Sequence, residues 1–135
     1  MSMLEWDDSY SVKVEMLDEH HKTLFKIVNR FYETAKNNSD IATLTEIFKK
    51  VLDYTQMHFK IEEYYMKKHE YPTYDKHKQI HEDLVQRASS LHDDIQSGKV
   101  GAVDNACTFL KDWLEKHIKG VDTQYGPHLN RAGMH

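Results

Sequence analysis

Apolar residues recur three and four positions apart in four stretches of this 135-residue chain, and no stretch alternates with the two-residue period of a strand. The first stretch predicts a helix over 18–36, with Asp18 as N-cap and Leu17, Leu24, Phe25, Val28, Tyr32 and Ala35 on one face. Asn37-Asn38-Ser39-Asp40 ends it. The second predicts a helix over 41–67, striped by Leu44, Phe48, Val51, Thr55 and Tyr65, and stops before Tyr71-Pro72, because a residue preceding proline is driven out of the helical region. A third, over 74–97, is capped by Thr73, turns Leu84, Ala88, Leu91 and Ile95 inward, and meets Gly98 where a left-handed residue is wanted. The fourth, over 102–119, carries Val103, Ala106, Leu110 and Leu114, with Gly120 just beyond.

Four amphipathic helices with short connections predict an all-α protein, an up-down-up-down antiparallel four-helix bundle of one domain spanning 1–135. Residues 1–17 form a non-helical N-terminal arm, laid across the bundle so that Trp6 and Tyr10 are buried. Residues 120–135 are a C-terminal segment that frays after Pro127.

Polar residues interrupt the four stripes at one level. His21 falls between Leu17 and Leu24; His58 and Glu62 continue the line from Val51 and Thr55; His77 and His81 lead into Leu84 and Ala88; His117 follows Leu110 and Leu114. His21, His77 and His81 stand near helix starts, His58, Glu62 and His117 near helix ends. In an antiparallel bundle those are the same end, so five histidines and a glutamate form one polar layer. Left unpartnered, each buried imidazole costs about 1–3 kcal/mol and a carboxylate far more, against a total stability of about 5–15 kcal/mol. A shared partner must satisfy them.

Residues four apart stack on a helix, so His58-x-x-x-Glu62 and His77-x-x-x-His81 each present two ligand atoms together. Asp122, five residues past His117, points elsewhere on an ideal helix unless Gly120 lets the helix end or bulge. With Asp122, seven donors are too many for one tetrahedral zinc and suit two metals bridged by carboxylates.

Composition removes other classes of function. The formal charge of −4 comes from 22 acids and 18 bases spread along the chain, with no basic stretch longer than a pair, which argues against nucleic acid as a partner. No apolar run reaches the ~20 residues needed to span a bilayer, and the first residues are acidic where a signal peptide is basic. The single Cys107 makes no internal disulfide, and the expectation is a cytoplasmic monomer with a patch-free acidic surface. Of ten histidines, His69, His92, His128 and His135 fall in turns, polar helix surface or the tail, and are expected to be exposed.

The order His21, His58-x-x-x-Glu62, His77-x-x-x-His81, His117-x-x-x-x-Asp122 resembles the hemerythrin family in its bacterial single-domain form, over nearly the whole chain. Tyr10-Ser11-Val12, His21-Lys22 with Leu24-Phe25, His58-Phe59 with Glu62-Glu63, Tyr71-Pro72, and Trp113-Leu114 before His117-Ile118 carry the resemblance further. It implies a non-haem di-iron centre in which His77, His81 and His117 bind one iron, His21 and His58 the other, with Glu62 and Asp122 and an oxo or hydroxo group bridging. It also implies reversible dioxygen binding, as carrier or store, on the two-histidine iron, beside a pocket walled by Phe59, Trp113, Leu114 and Ile118. Such a protein is not an enzyme, and its electron donor is unknown. The alternatives are an oxygen or redox sensor acting through a partner, and a di-iron enzyme reducing peroxide or nitric oxide. The sequence contains no Glu-x-x-His pair, the ligand signature of carboxylate-rich di-iron enzymes.

Two positions depart from the family pattern: His20 stands where glutamine usually precedes the first ligand, and Lys13 where the arm usually has glycine. The doubled His20-His21 leaves two registers open. Leu24, Ile27 and Phe31 put His20 inward, whereas Val28 and Tyr32 put His21 inward. A His20 bordering the pocket would act from a second shell, donating a hydrogen bond or proton.

Overall fold

The computed structural model describes residues 4–37 and 40–135. The helices are α1 (Glu15–Lys36), α2 (Ile41–Lys68), α3 (Tyr74–Gln96), α4 (Ala102–Trp113) and α5 (Thr123–Arg131), and Leu114–Asp122 between the last two is wound as a π-helix. The fourth rod of the bundle is therefore α4, the π segment and α5 in one continuous run. Each rod packs on the next, and the fourth contacts the first. The connections at 37–40, 69–73 and 97–101 are too short for anything but antiparallel neighbours. Among the described residues there is no strand, and no helix is long and apolar enough to cross a membrane.

Several ends differ from the sequence pattern for identifiable reasons. α1 starts at Glu15, three residues early, because Asp18 does not cap it. Its carboxylate instead accepts the Val12 N–H at 2.8 Å and the Ser11 hydroxyl at 2.6 Å, tying the arm to the first turn. Thr73 precedes α3 without a side-chain cap; its carbonyl accepts the His77 N–H. Asp40 does cap α2, accepting the Thr43 N–H at 2.7 Å, while Asn38 and Ser39 of the expected break lie outside the described residues. On the first stripe Phe31 is buried and Tyr32 only half-buried.

The largest departure is at the C-terminus. The fourth helix does not stop at Lys119, and the tail is not frayed: Tyr125 and Leu129 have no exposed surface. They pack with Val12, Val14, Leu17 and Met66 into a second apolar cluster. The main cluster holds Leu24, Val28, Phe31, Phe48, Val51, Leu91, Leu110 and Leu114 among others. Along the first rod Leu17 belongs to one cluster and Leu24 to the other, with His21 between them. On the fourth, Leu114 and Leu129 flank His117 and Asp122 in the same way. The polar layer is thus enclosed between two apolar clusters rather than lying open at the bundle's end.

The arm contains one 3-10 turn, Asp8–Tyr10, and crosses α1 and the π segment. Tyr10 is buried, edge-on to Phe25 at 4.8 Å, and Lys119 Nζ lies 4.4 Å over its ring. Trp6, half-buried, packs edge-on against Phe25 at 5.7 Å.

Candidate metal centre

All seven candidate ligands, His21, His58, Glu62, His77, His81, His117 and Asp122, are buried, each at most 5% exposed. Their imidazole Nε2 atoms and carboxylate oxygens converge on one point of the bundle interior. Glu62 Oε1 lies 3.2 Å from His81 Nε2 and 3.8 Å from His77 Nε2, whereas Glu62 Oε2 lies 3.0 Å from His58 Nε2 and 3.2 Å from His21 Nε2. Asp122 divides itself the same way. Its Oδ1 is 2.9 Å from His117 Nε2 and 3.1 Å from His77 Nε2, and its Oδ2 is 3.3 Å from His21 Nε2. Two donor groups result: Glu62, His77, His81, His117 and Asp122, and His21, His58, Glu62 and Asp122. In each, the ligand atoms lie within 4.8 Å of one another, and the two carboxylates belong to both.

The π segment makes this possible. Its hydrogen bonds run from each N–H to the carbonyl five residues back, as from Thr123 to Ile118. His117 and Asp122, which on an α-helix would diverge by about 140°, therefore stand on one face. Gly120 lies between them in a helical conformation, so the expected bulge takes the form of two π turns rather than a break.

Many of these atoms lack a hydrogen bond. His77, His81 and His117 Nε2, Glu62 Oε1 and both Asp122 oxygens are buried without a hydrogen-bonding partner among the described residues. Buried polar atoms are normally satisfied, and this set shares one unfilled need. Five neutral imidazoles and two carboxylates carry a charge of about −2, and the borderline donor set suits divalent transition ions. The residues present therefore fit a two-metal centre.

In the metal-free protein, protons take part of the role of cations. Burial pushes the His21 imidazole down, but the facing Asp122 and Glu62 carboxylates, which favour its protonated form, outweigh burial and raise it to about 9. Burial likewise pushes His81 down, but Glu62 and Glu63 outweigh it and raise His81 to about 9 as well. Burial lowers His58 below its ordinary value and is only partly offset by Glu62. Glu62 and Asp122, though raised by burial, are held well below the usual carboxylate range by the surrounding histidines.

Three outer side chains orient the layer. Tyr125 Oη donates to Glu62 Oε2 at 2.5 Å, and burial keeps that phenol protonated by raising it well above its ordinary value. Glu63 Oε2 accepts from His81 Nδ1 at 2.7 Å. His20 Nδ1 lies 2.9 Å from His58 Nδ1. The His20/His21 register is thereby resolved: His21 faces the layer and His20 sits beside it against α2. Sequence reasoning missed Tyr125 and Glu63. Glu63 was hidden as the outward neighbour of Glu62, but Tyr125 continues the Asp122 stripe at helical spacing and was legible.

The aromatic wall lies on the main-core side. Phe59 stacks on His81 with ring centres 3.7 Å apart and planes 4° apart, and meets Trp113 edge-on at 5.8 Å. Leu114 and Ile118 are buried in the same cluster. A cleft of about 540 Å³ between α3 and the fourth rod reaches Trp113 and His117, and another of about 260 Å³ reaches Phe59 and His81. Of the four histidines expected to be exposed, His135 is, whereas His69, His92 and His128 are less so. His92 stacks on Phe48, and His128 Nε2 donates to the His69 carbonyl at 2.5 Å; all three of these histidines are half-buried.

Fold and site together define a four-helix bundle whose buried histidine–carboxylate cluster has the donors for two cations. The family profile described as the hemerythrin HHE cation binding domain matches residues 12–129. The chain is 34% identical over 133 residues to the bacteriohemerythrin of Methylococcus capsulatus, covering 96% of this chain and 99% of that one. It is 34% identical over 124 residues to the myohemerythrin of Riftia pachyptila, covering 92% of each. A crystal structure of wild-type hemerythrin superposes with a TM-score of 0.87 at 32% identity, covering 95% of this chain and 98% of that one. This chain belongs to the hemerythrin family.

Proposed function

We propose that this protein binds dioxygen reversibly at a non-haem di-iron centre, as a carrier or store, with His77, His81 and His117 on one iron and His21 and His58 on the other. Glu62 and Asp122, which belong to both donor groups, would serve both irons. The observation that carries this reading is the division of each carboxylate: Glu62 turns one oxygen to His77 and His81 and the other to His21 and His58, and Asp122 turns one to His77 and His117 and the other to His21. When bound, two irons supply the pair of electrons that dioxygen takes up and returns on release.

The chain's own contribution is to hold donors and exclude water. Five imidazoles and two carboxylates leave two ferrous ions with a net positive charge. A four-carboxylate shell would neutralise them and favour higher oxidation states, so the histidine-rich set supports binding over oxidation catalysis. Phe59, Trp113, Leu114 and Ile118, buried in the main cluster, would present apolar surface to the ligand site and keep water and stray protons from it. The second apolar cluster, around Tyr125 and Leu129, seals the other side.

Anaerobic reduction of the purified protein, followed by air, with iron counting and visible spectra, tests this directly. Two irons per chain and a colour that comes and goes with oxygen are expected. One zinc per chain, or colour that never reverses, overturns it. Steady consumption of peroxide or nitric oxide with an electron donor would move the protein to the enzyme reading.

A further inference from the structure

The two halves of the centre are backed by different chemistry. His81, in the three-histidine half, turns its Nδ1 to the Glu63 carboxylate at 2.7 Å. His58, in the two-histidine half, turns its Nδ1 to another imidazole, His20, at 2.9 Å, and the rings meet nearly at right angles with centres 5.1 Å apart. Tyr54, one turn earlier on α2, also packs edge-on against His20 at 6.2 Å. His20 is thus held against α2 as a built contact, not as a free surface side chain.

Two facing Nδ1 atoms hydrogen-bond only if one carries the hydrogen and the other is bare. His58 Nε2 points into the donor group, 2.9 Å from His21 Nε2 and 3.0 Å from Glu62 Oε2. A ligating Nε2 must be bare, so the His58 hydrogen resides on Nδ1 and His20 Nδ1 accepts it. A histidine ligand whose second nitrogen donates outward is fixed in tautomer and ring orientation, and removing the outer acceptor typically weakens metal binding ~10–100-fold.

We propose that His20 is a positioning residue for the two-histidine half: its Nδ1 accepts the His58 Nδ1–H and so aims a bare His58 Nε2 at the metal, as Glu63 does for His81 in the other half. The acceptor is neutral at His58 and anionic at His81, so each half depends on its own outer residue. This inference rests on the ligand assignment above, and its failure is separable from failure of that assignment.

The metal-free native chain, titrated with cobalt(II) under nitrogen and followed by visible absorption, is expected to bind two equivalents. A native chain that binds one or none sinks the ligand assignment itself. With two confirmed, His20→Ala is expected to weaken the looser equivalent about 10-fold and spare the tighter, and Glu63→Ala to do the reverse. His20→Gln, whose amide oxygen accepts the same hydrogen, is expected to recover most of the loss and keeps the test open if the alanine variant folds poorly. Proton–nitrogen NMR of the zinc-loaded native protein should find the His58 hydrogen on Nδ1. A His58 hydrogen on Nε2, or a His20→Ala variant whose two equivalents are unchanged or weaken equally, overturns the proposal.

Discussion

Asp122 Oδ1 lies 2.9 Å from His117 Nε2 across five residues of one helix, and Asp122 Oδ2 faces His21 on another rod at 3.3 Å. One side chain thus joins the two donor groups, and it does so with two separate oxygens. Asparagine keeps the shape but has a single acceptor oxygen, so Asp122→Asn is expected to serve one half only. Iron bound per chain should fall from two to one, with the helical content of the metal-free protein unchanged. Elemental analysis beside far-UV circular dichroism decides it, and retention of both irons would remove Asp122 from its bridging role.

Tyr125 supports the other carboxylate shared by both donor groups. Its hydroxyl is fully buried and ends on Glu62 Oε2, in hydrogen-bonding contact at 2.5 Å. A hydrogen bond to a charged group contributes about 1.5–3 kcal/mol. Tyr125→Phe keeps the ring in the second cluster and removes only that bond. The metal-free protein should lose stability in this range on urea unfolding, with an unchanged slope. A loss under about 0.5 kcal/mol would mean that the two histidines on Oε2 hold Glu62 unaided.

The contrast between His117 and Tyr125 shows what sequence could deliver. The stripes gave four rods and a common polar level because helical period and burial are local properties that tertiary contacts only reinforce. His21, His58, Glu62, His77 and His81 were readable for that reason. Asp122 needed the π winding, which depends on competition between i→i+4 and i→i+5 bonding and leaves no periodic signature. On either side of it, Gly120 read as the helix end and Pro127 as the start of a frayed tail, yet Gly120 lies within the π winding and Pro127 sits inside α5. The outer residues His20 and Glu63 were the least legible, since an adjacent histidine pair or glutamate pair does not reveal which member faces in.

Metal-free stability should depend on pH in a way that the metal reverses. His21 and His81 are each raised from 6.5 to about 9. A raised histidine contributes stability that is fully present below 6.5 and lost as pH climbs through 9, on the order of 3 kcal/mol each. His58, lowered by burial, acts oppositely below pH 6.5. Glu62 and Asp122, held low, contribute stability above their ordinary values of 4.5 and 3.8 that acid removes. In chelator, urea midpoints should therefore peak near pH 6.5 and fall steadily to pH 9. Metal binding displaces the same protons, so metal affinity should rise across that window. A flat profile in chelator would show that the histidines are not protonated in the metal-free fold.

The arm supplies the last prediction, because two backbone positions, Lys13 within it and Gly126 facing it from α5, are set by residue choice. Lys13 is left-handed at φ 61, where a side chain costs about 1–2 kcal/mol, and it is pinned there by Asn130 Nδ2 donating to its carbonyl at 2.9 Å. Glycine adopts that conformation without the clash but adds freedom to the unfolded chain, so Lys13→Gly should stabilise by about 0.5–1 kcal/mol and raise Tm a few degrees. At Gly126 the opposite holds. A Cβ there would overlap the Val12 carbonyl oxygen, whose own N–H is already held by Asp18. Gly126→Ala should therefore push the arm off α5, destabilise the fold by about 1–3 kcal/mol, and open residues 4–14 to protease. An alanine variant with native melting and protease resistance would show that the arm can shift without loosening, and that its contact with the fourth rod is not what closes the lower side of the metal layer.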